Sequence, residues 1–589
     1  MTEPSDDGRS HLLQIINSNG SSLFLGQALV LFAAMGGKLK EIGPAVRDFS
    51  FLSACCLRQR RRSPPASTPN ANPHHDLSTM TTTTTAAAPT ISPAEPLFPT
   101  AAAFMKQTPD AIVAALLARN IWAFSITYHP AVSGPVGLAR DAGVFMPARV
   151  GQGQFYASHA AVVNLIPWLE EDMLAGRDFD KHEGIFVSVG RKSRVLMSAF
   201  VYNTVRGPGA GGVRHCIYDT VESLFRDGLR LSRGMAQKTA LAGIWWGGAK
   251  GCMARNSGTG LSSTDDATAR QIVFEEYGEF ITQLKGCFVT AGDAGVNRPD
   301  MIHLYSRTRF ATTIPRSLGG SGSPAPPTAR GVLRGLEAAF TFLAEQSGMD
   351  AKMGPELLRK ATVLVQGFGH VGSNLVHDLV HLAGVKKVVV AHVEVEKILP
   401  GIDRVKAYPA DRVEFVSVPR GDHMVLTMPG VDAVCPCATG GGLNAETVPK
   451  IQAKIVCGAA NNQLLDVKIT ADALSARGII YVPDFLVNRM GIVHCADEAA
   501  GYIVPDDDLL LRHLGYDWEQ SIYNTTLRVL RTATVARDTT QAIALREADA
   551  RMKEPHPIWG HRGAKIIAGL VHGDDWVRYA QGEGMVDEE

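Results

Sequence analysis

In the stretch LAGIWWGGAKGCMAR, residues 241–255, one lysine, Lys250, stands among glycine, alanine, tryptophan and aliphatic side chains. Burial disfavours an ammonium ion, so a lysine in apolar surroundings has its pKa drawn toward neutrality and can serve as a base. The alternative is a surface turn built by the glycines, from which Lys250 points into water, where most lysines lie. A second pattern with chemical meaning is ATVLVQGFGHVGSNLVHDLVHLAGVKKVVVAHVE, residues 361–394. Its apolar start predicts a strand, after which Gly367, Gly369 and Gly372 fall in GxGxxG spacing. A helix follows with Leu375, Leu379 and Leu382 inward and Gly384 at its end, and Val388–Val390 predict a second strand. In a strand–turn–helix unit of about 30 residues this spacing is a dinucleotide fingerprint. The first glycine permits a tight turn, the second lets backbone approach a pyrophosphate, and the helix N-terminus stabilises its charge.

Such a unit offers an acidic side chain to the ribose hydroxyls at the end of its second strand. Here His392 occupies that end and Glu394 lies two residues on. Either Glu394 takes the role or the pocket accepts a 2′-phosphate beside His392. The cofactor is therefore NAD or NADP, with NAD favoured.

The elements that must position these residues are legible on both sides. GIFVSVGRKSRVLMSAFVYN, residues 184–203, predicts two strands joined by a polar turn at Gly190–Ser193. Asp219 and Glu222 bracket a capping-box-like start to a helix with Val221, Leu224, Phe225, Leu229 and Met235 on its apolar face. PPTARGVLRGLEAAFTFLAEQSG predicts a helix with Val332, Leu333, Leu336, Phe340 and Leu343 on one side and Gly348 as its stop. The runs VDAVCPCA, AKIVCGAA and GIIYVPDFL alternate with helical segments, which predicts a mostly parallel, doubly wound sheet from about 330 to 485.

At 589 residues the chain exceeds a single core. Fifty-eight basic and 58 acidic side chains balance, so neither nucleic acid nor a membrane surface is an electrostatically favoured partner. The apolar run SLFLGQALVLFAAMGG is 16 residues long and too short for a bilayer span. Nine scattered cysteines suit a reducing compartment, and Cys435 and Cys437 lack a second pair that would complete a zinc set, so no metal is expected. A Pro/Thr/Ala-rich tract follows RQRRR and predicts disorder over the first hundred residues. The expected location is cytoplasmic, with mitochondrial import through this extension as the alternative.

The chain resembles the glutamate/leucine/phenylalanine/valine dehydrogenase family, and its leucine and phenylalanine branch most closely. The resemblance rests on GPGAGGVR (207–214), LRLSRGMAQKTALAGIWWGGAKG (229–251), TAGDAGVNRPDM (290–301), PTARGV (327–332), QGFGHVG (366–372), CPCATGGGLN (435–444), GAANNQL (458–464) and PDFLVNRMGIVHCADE (483–498). It implies an α/β architecture of two domains: a catalytic domain over 101–325 and a Rossmann-type NAD(P)-binding domain over 326–485. A disordered extension over 1–100 would precede them, and C-terminal helices over 486–589 would return to the catalytic domain. The implied reaction is reversible oxidative deamination of an L-amino acid to its 2-oxo acid and ammonia, with hydride passing to the nicotinamide. The partners implied are these small molecules and further copies of the chain in a homo-oligomer.

By this resemblance Lys238 binds the substrate carboxylate, Lys250 is the base and Asp293 exchanges protons with the amine. Thr328, Asn461, Ala438 and Thr439 meet the cofactor, together with Gly367, Phe368, Gly369, His370, Val371 and Gly372 of the fingerprint. Asn462 and Gly212 lie at the substrate. The positions that would receive a distal carboxylate in glutamate-specific members are Ala210 and Cys495 here, beside Ala291 and Ile492. A buried carboxylate without a partner is costly, so an apolar or aromatic side chain is expected. Alternatives are a relative with a glutamate-type or other 2-oxo acid substrate and a silent nucleotide-binding scaffold, which would be free to lose Lys238, Lys250 or Asp293. Trp245 and Trp246 are larger than the resemblance leads one to expect, and residues 101–180 have no counterpart in it.

Overall fold

A computed structural model of the chain describes residues 95–130, 144–147, 153–258, 266–393, 395–398, 408–501 and 508–582. The expectations for the first 94 residues and for Glu394 lie outside them. Strands β1 (Ala123–Pro130), β2 (Val144–Pro147), β3 (Gly153–Ala157), β4 (Gly184–Val189), β5 (Leu196–Asn203), β6 (Gly209–Cys216), β7 (Gly247–Ala254) and β8 (Phe288–Gly292) form one mixed sheet. Its order is β2-β3-β1-β4-β5-β7-β6-β8. The polar turn after Val189 makes β4 and β5 antiparallel, whereas β6 runs parallel to both β7 and β8.

Alternation along β5 shows how this sheet is covered. Leu196 and Phe200 enter one core with helices α1 (Leu165–Leu174) and α2 (Val221–Leu241). Met197, Ala199 and Val201 enter a second core with α3 (Ala267–Gln283), as the two-residue period of a strand requires. Strands β1 to β3 come from the segment without a counterpart, and they bury Phe124, Ile126, Tyr128 and Phe155 in the first of these cores. The start of α2 departs from expectation by one residue. Thr220, in extended backbone conformation, accepts a hydrogen bond from the Ser223 amide, and the Ser223 side chain completes the box. Glu222 falls in the first turn and pairs with Arg226 instead.

The second sheet is wholly parallel. Strands β9 (Thr362–Gln366), β10 (Lys387–His392), β11 (Val413–Ser417), β12 (Ala433–Pro436), β13 (Ile455–Val456) and β14 (Ile480–Tyr481) lie in the order β11-β10-β9-β12-β13-β14. Val363 and Val365 face one core with helices α4 (Ala325–Gln346) and α5 (His370–Asp378), while Leu364 faces another. Both faces are covered, which is why these strands read as continuous apolar runs. Leu375 and Leu379 are buried as expected, but Leu382 is 53% exposed. The helix passes into a wider π-type turn at Leu379–Ala383, which changes the phase of the last apolar position before Gly384 closes it with φ of 66°.

The C-terminal stretch visits both sheets. Helices α6 (Met490–Ala499) and α7 (Ile522–Ala536) bury Met490, Val493, Ile522 and Leu530 in the core that also holds α4. Helix α8 (Thr540–Arg551) shares that core, and Met552 beyond it packs on Ala236 and Ala240 of α2. Helices α9 (Arg562–His572) and α10 (Asp574–Ala580) finish in the first sheet's core through Ile567, Leu570 and Trp576.

Candidate active site

Lys250 lies in β7, opposite Phe200 of β5, and is 4% exposed. Its neighbours two and four residues on, Cys252 and Ala254, share the core with the apolar face of α2. A Cβ at Gly248 would come within 2.2 Å of the Ala236 backbone nitrogen, so glycine there lets α2 lie directly on the strand. That contact brings Lys238, in the last turn of α2, toward Lys250. The Lys250 ammonium is ion-paired with Asp293, just beyond the end of β8. Burial acts to raise the Asp293 pKa, but Lys250 and Arg214 outweigh it and hold this carboxyl at about 2. Arg214 Nε stands 3.5 Å from the same carboxylate, while Arg214 Nη1 donates to Asp227 at 2.8 and 3.0 Å. The Tyr218 hydroxyl donates to Asp227 as well, at 2.9 Å. Gly212 of β6 lies against Asp293, where a Cβ would approach the Asp293 Cβ to 2.8 Å.

Lys238 is half-buried and has a different kind of partner. Its Nζ donates to Asn461 Oδ1 at 3.2 Å, and Asn488 Nδ2 donates to the same oxygen at 2.9 Å. Burial holds Lys238 below the ordinary lysine range, at about 8, with Asp484 opposing the shift and Lys250 adding to it. Asp484 is itself buried, which pushes its carboxyl upward, and it accepts the amides of Gln463 and Phe485 at 3.1 and 2.7 Å. Asn461 belongs to the loop after β13, so the first sheet's helix and the second sheet's strand ends meet here. Asn461 and Asn462 are both exposed, unlike asparagines that satisfy buried backbone.

The fingerprint loop sits where the strand order reverses, between β9 and β12, the place at which open parallel sheets bind nucleotides. Gly367 has φ of 99°, and a Cβ at Gly372 would strike the Gly367 carbonyl oxygen at 2.1 Å. Gly369 caps α5 with no side-chain hydrogen bond, and open space lies where its Cβ would be. An uncapped helix start behind a bare glycine fits a pyrophosphate. Phe368 is buried with its ring 5.2 Å from that of Phe415, Val371 packs on the core behind, and His370 is exposed. Ala438 lies beside Gly367, and Thr439 is exposed in the same loop. The Phe368 amide donates to His392 Nδ1 at 3.2 Å, and burial lowers the His392 pKa, so the ring is a neutral acceptor there. Thr328 is buried in the first turns of α4, its hydroxyl donating to the Pro324 carbonyl at 2.8 Å.

Ala210, Ala291, Ile492 and Cys495 come together in one small apolar cluster, with Met235, Ile244 and Trp246 packed against it. Trp245 turns the other way and is 39% exposed. Arg214, Asp227, Asn488 and Asp484 belong to the site as well, although the resemblance implies none of them. Arg214, Asp484 and Asn488 stand inside quoted motif stretches, where a charge or amide among small and apolar neighbours was the available signal; Asp227 carries no such mark. Among the described residues no group of three or more His, Cys, Asp or Glu side chains is placed to hold a metal ion. Among them, too, no helix is long and apolar enough to cross a membrane.

The Lys250–Asp293 pair, with Lys238 nearby reaching the strand ends of a dinucleotide sheet, fits an NAD(P)-dependent oxidoreductase of two α/β domains. Residues 193–310 match the Glu/Leu/Phe/Val dehydrogenase dimerisation domain, and residues 319–503 match Glutamate/Leucine/Phenylalanine/Valine dehydrogenase. The chain belongs to this family of amino-acid dehydrogenases. Leucine dehydrogenase of Bacillus cereus is 32% identical over 390 residues, covering 66% of this chain and 96% of that protein. Phenylalanine dehydrogenase of Lysinibacillus sphaericus is 32% identical, covering 59% of this chain and 82% of that protein. Among solved structures, L-tryptophan dehydrogenase from Nostoc punctiforme is similar at 28% identity and a TM-score of 0.48, covering 63% of this chain and 96% of that one.

Proposed function

We propose that the chain oxidatively deaminates an apolar or aromatic L-amino acid, with Lys238, Lys250 and Asp293 as its chemical groups. The observation that carries this reading is the Lys250–Asp293 ion pair beside a desolvated lysine that reaches the dinucleotide half. The relatives named for leucine and phenylalanine, and the uncharged cluster around Ala210 and Cys495, support the substrate class. Lys238 binds the α-carboxylate. A bound nicotinamide supplies the hydride acceptor, and oxidation leaves an imino acid. Asp293 takes a proton from the substrate amine. Lys250 releases its own proton to solvent, the one proton the overall reaction gives up, and then removes a proton from the water that adds to the imino carbon, while Asp293 returns the proton it took to the departing nitrogen. The products are the 2-oxo acid and ammonia.

The cofactor is NAD in preference to NADP, because the neutral His392 ring offers no fixed cation to a 2′-phosphate. Residues 101–325 serve as the substrate domain and 326–485 as the cofactor domain, with 486–589 tying them together. Gly212 and Asn462 border the substrate, and Thr328, Ala438, Thr439 and Asn461 border the nicotinamide half of the cofactor. The dimerisation-domain match supports a homo-oligomer, and seven free thiols among the described cysteines support a cytoplasmic setting. Purified protein is to be screened with L-amino acids against NAD+ and NADP+, and with 2-oxo acids plus ammonia in reverse. Apolar and aromatic substrates are expected to change nicotinamide absorbance; silence with every pair sinks the reading.

A further inference from the structure

Ala210, Ala291, Ile492 and Cys495 are between 1% and 6% exposed, fixed in or beside β6, β8 and α6. A short loop packs against them. Ile244 and Trp246 both reach the cluster from the segment between α2 and β7, and Trp246 is the bulkiest group in contact with it. This loop is tied by residues that precede it and by residues of the C-terminal stretch. Arg206, 3% exposed, donates through Nε to the Ile244 carbonyl at 3.3 Å and through Nη1 to the Arg551 carbonyl at 3.0 Å. Its guanidinium covers the Trp245 ring, 4.2 Å from the centroid, and is ion-paired with Glu554. The His556 ring lies 5.6 Å from the same indole, and the His556 amide donates to the Val205 carbonyl at 3.1 Å. On the other side, Arg489 donates to the Leu241 carbonyl at 2.7 Å.

We propose that Trp246 sets the upper size of the amino-acid side chain accepted, and that Arg206, clamping Trp245 to residues 551–556, is the positioning residue that keeps Trp246 in place. The inference rests on reading the Ala210–Cys495 cluster as the side-chain pocket. Trp245 and Trp246 are bonded neighbours in the short bend between α2 and β7, so a clamp on the first restricts the backbone that carries the second. A stacked, ion-paired arginine suits that task because a planar guanidinium holds ring and carboxylate together. The small Ala210 leaves room in this pocket, and Trp246 takes room from it. The size limit is thus a property of the loop and the C-terminal segment as well as of the pocket floor.

The test is kcat/KM of the full-length enzyme for L-valine, L-leucine, L-phenylalanine and L-tryptophan at saturating cofactor. Trp246→Ala is expected to raise the phenylalanine-to-valine ratio about 10-fold or more, the scale on which apolar pockets read side-chain size, with Trp246→Phe between it and wild type. A uniform fall for all four substrates, leaving the ratio unchanged, overturns the proposal. Glu554→Gln changes a half-exposed partner remote from the chemistry and keeps the question answerable if Trp246→Ala does not fold. It is expected to move the same ratio the same way by about 2–5-fold, the scale of one exposed ion pair. An unmoved ratio in folded Glu554→Gln overturns the clamp. Calorimetric binding of phenylpyruvate against 2-oxoisovalerate repeats the comparison without turnover. A wild type that oxidises no amino acid but whose binding ratio shifts in these variants refutes the dehydrogenase reading and leaves the size limit standing.

Discussion

Lys250 and Lys238 stand twelve residues apart in sequence and within reach of each other's field, yet they are held in opposite ways. Lys250 is on a strand, buried, and already has a counterion in Asp293. Lys238 is on the last turn of a helix, half-buried, and its hydrogen-bond acceptor is a neutral amide. A desolvated ammonium without a contacting carboxylate is a poor structural element and a good receptor for one, because an incoming anion recovers the interaction that burial removed. The difference teaches a division of labour. On the function we propose, the paired lysine works with Asp293 on protons, and the one without a contacting carboxylate receives the substrate's carboxylate.

The comparison breaks first at the pair. Lys250→Ala and Asp293→Asn are each expected to lower kcat by about 10³-fold, within the range of positioned acid–base groups, with NADH affinity little changed. Steady-state rates and a fluorescence titration of NADH read the two effects, and turnover within tenfold of wild type removes the pair from the chemistry. Lys238→Met tests the receptor. The amino-acid KM is expected to rise about 10–100-fold, the scale of a hydrogen bond to a charged group, with a smaller change in kcat. If kcat falls as far as in Lys250→Ala, the two lysines are not divided as described.

Much of this arrangement was legible in sequence because glycine and apolar patterns report backbone needs directly. Gly367 and Gly372 stand where a positive φ and a 2.1 Å approach admit no side chain, and Ala210, Ala291, Ile492 and Cys495, which the resemblance singles out, do cluster. What was hidden depends on contacts that sequence spacing does not carry. Asp219 and Thr220 are both good caps, and only the extended backbone at Thr220 decides between them. Leu382 has the right type at the right interval, but a widened last turn carries it outward. Asp227 supports Arg214 from a helix that sequence marks only by its apolar face. Trp245 and Trp246 are adjacent in sequence, and their division between solvent and pocket rests on Arg206 and Glu554, separated by 348 residues.

A pH profile sharpens the comparison. Binding of a 2-oxo acid without ammonia should be constant below pH about 8, because Lys238 is then a cation. Above that value the affinity is expected to fall toward tenfold per pH unit as the ammonium loses its proton. Asp293, held at about 2, is ionised throughout and contributes no limb there. Calorimetry across pH 6–9.5 reads the profile, and Lys238→Met should flatten it. A limb that persists in that variant belongs to another group.

The smallest effect separates receptor from structural support by its sign. Lys238 has a folded pKa of about 8 against an ordinary value of 10.5, so between these values the unfolded chain binds more protons and stability rises with pH. Below pH 8 the desolvation of the ammonium weighs fully against folding. Asp293 runs the other way. Its carboxyl, at about 2 against 3.8, contributes stability at neutral pH that is lost as pH falls through this window. In urea unfolding at pH 7 without ligand, Lys238→Met is therefore expected to gain about 0.5–2 kcal/mol, the usual size of a relieved functional strain, while Asp293→Asn loses stability. At pH 10.5 the Lys238→Met gain should have nearly vanished. A saturating 2-oxo acid should reverse the order at pH 7, since only the wild type recovers its counterion and gains from binding. If Lys238→Met instead loses stability at pH 7 in the absence of ligand, then Asn461 and Asp484 already compensate the charge, and Lys238 is a strut between the two halves.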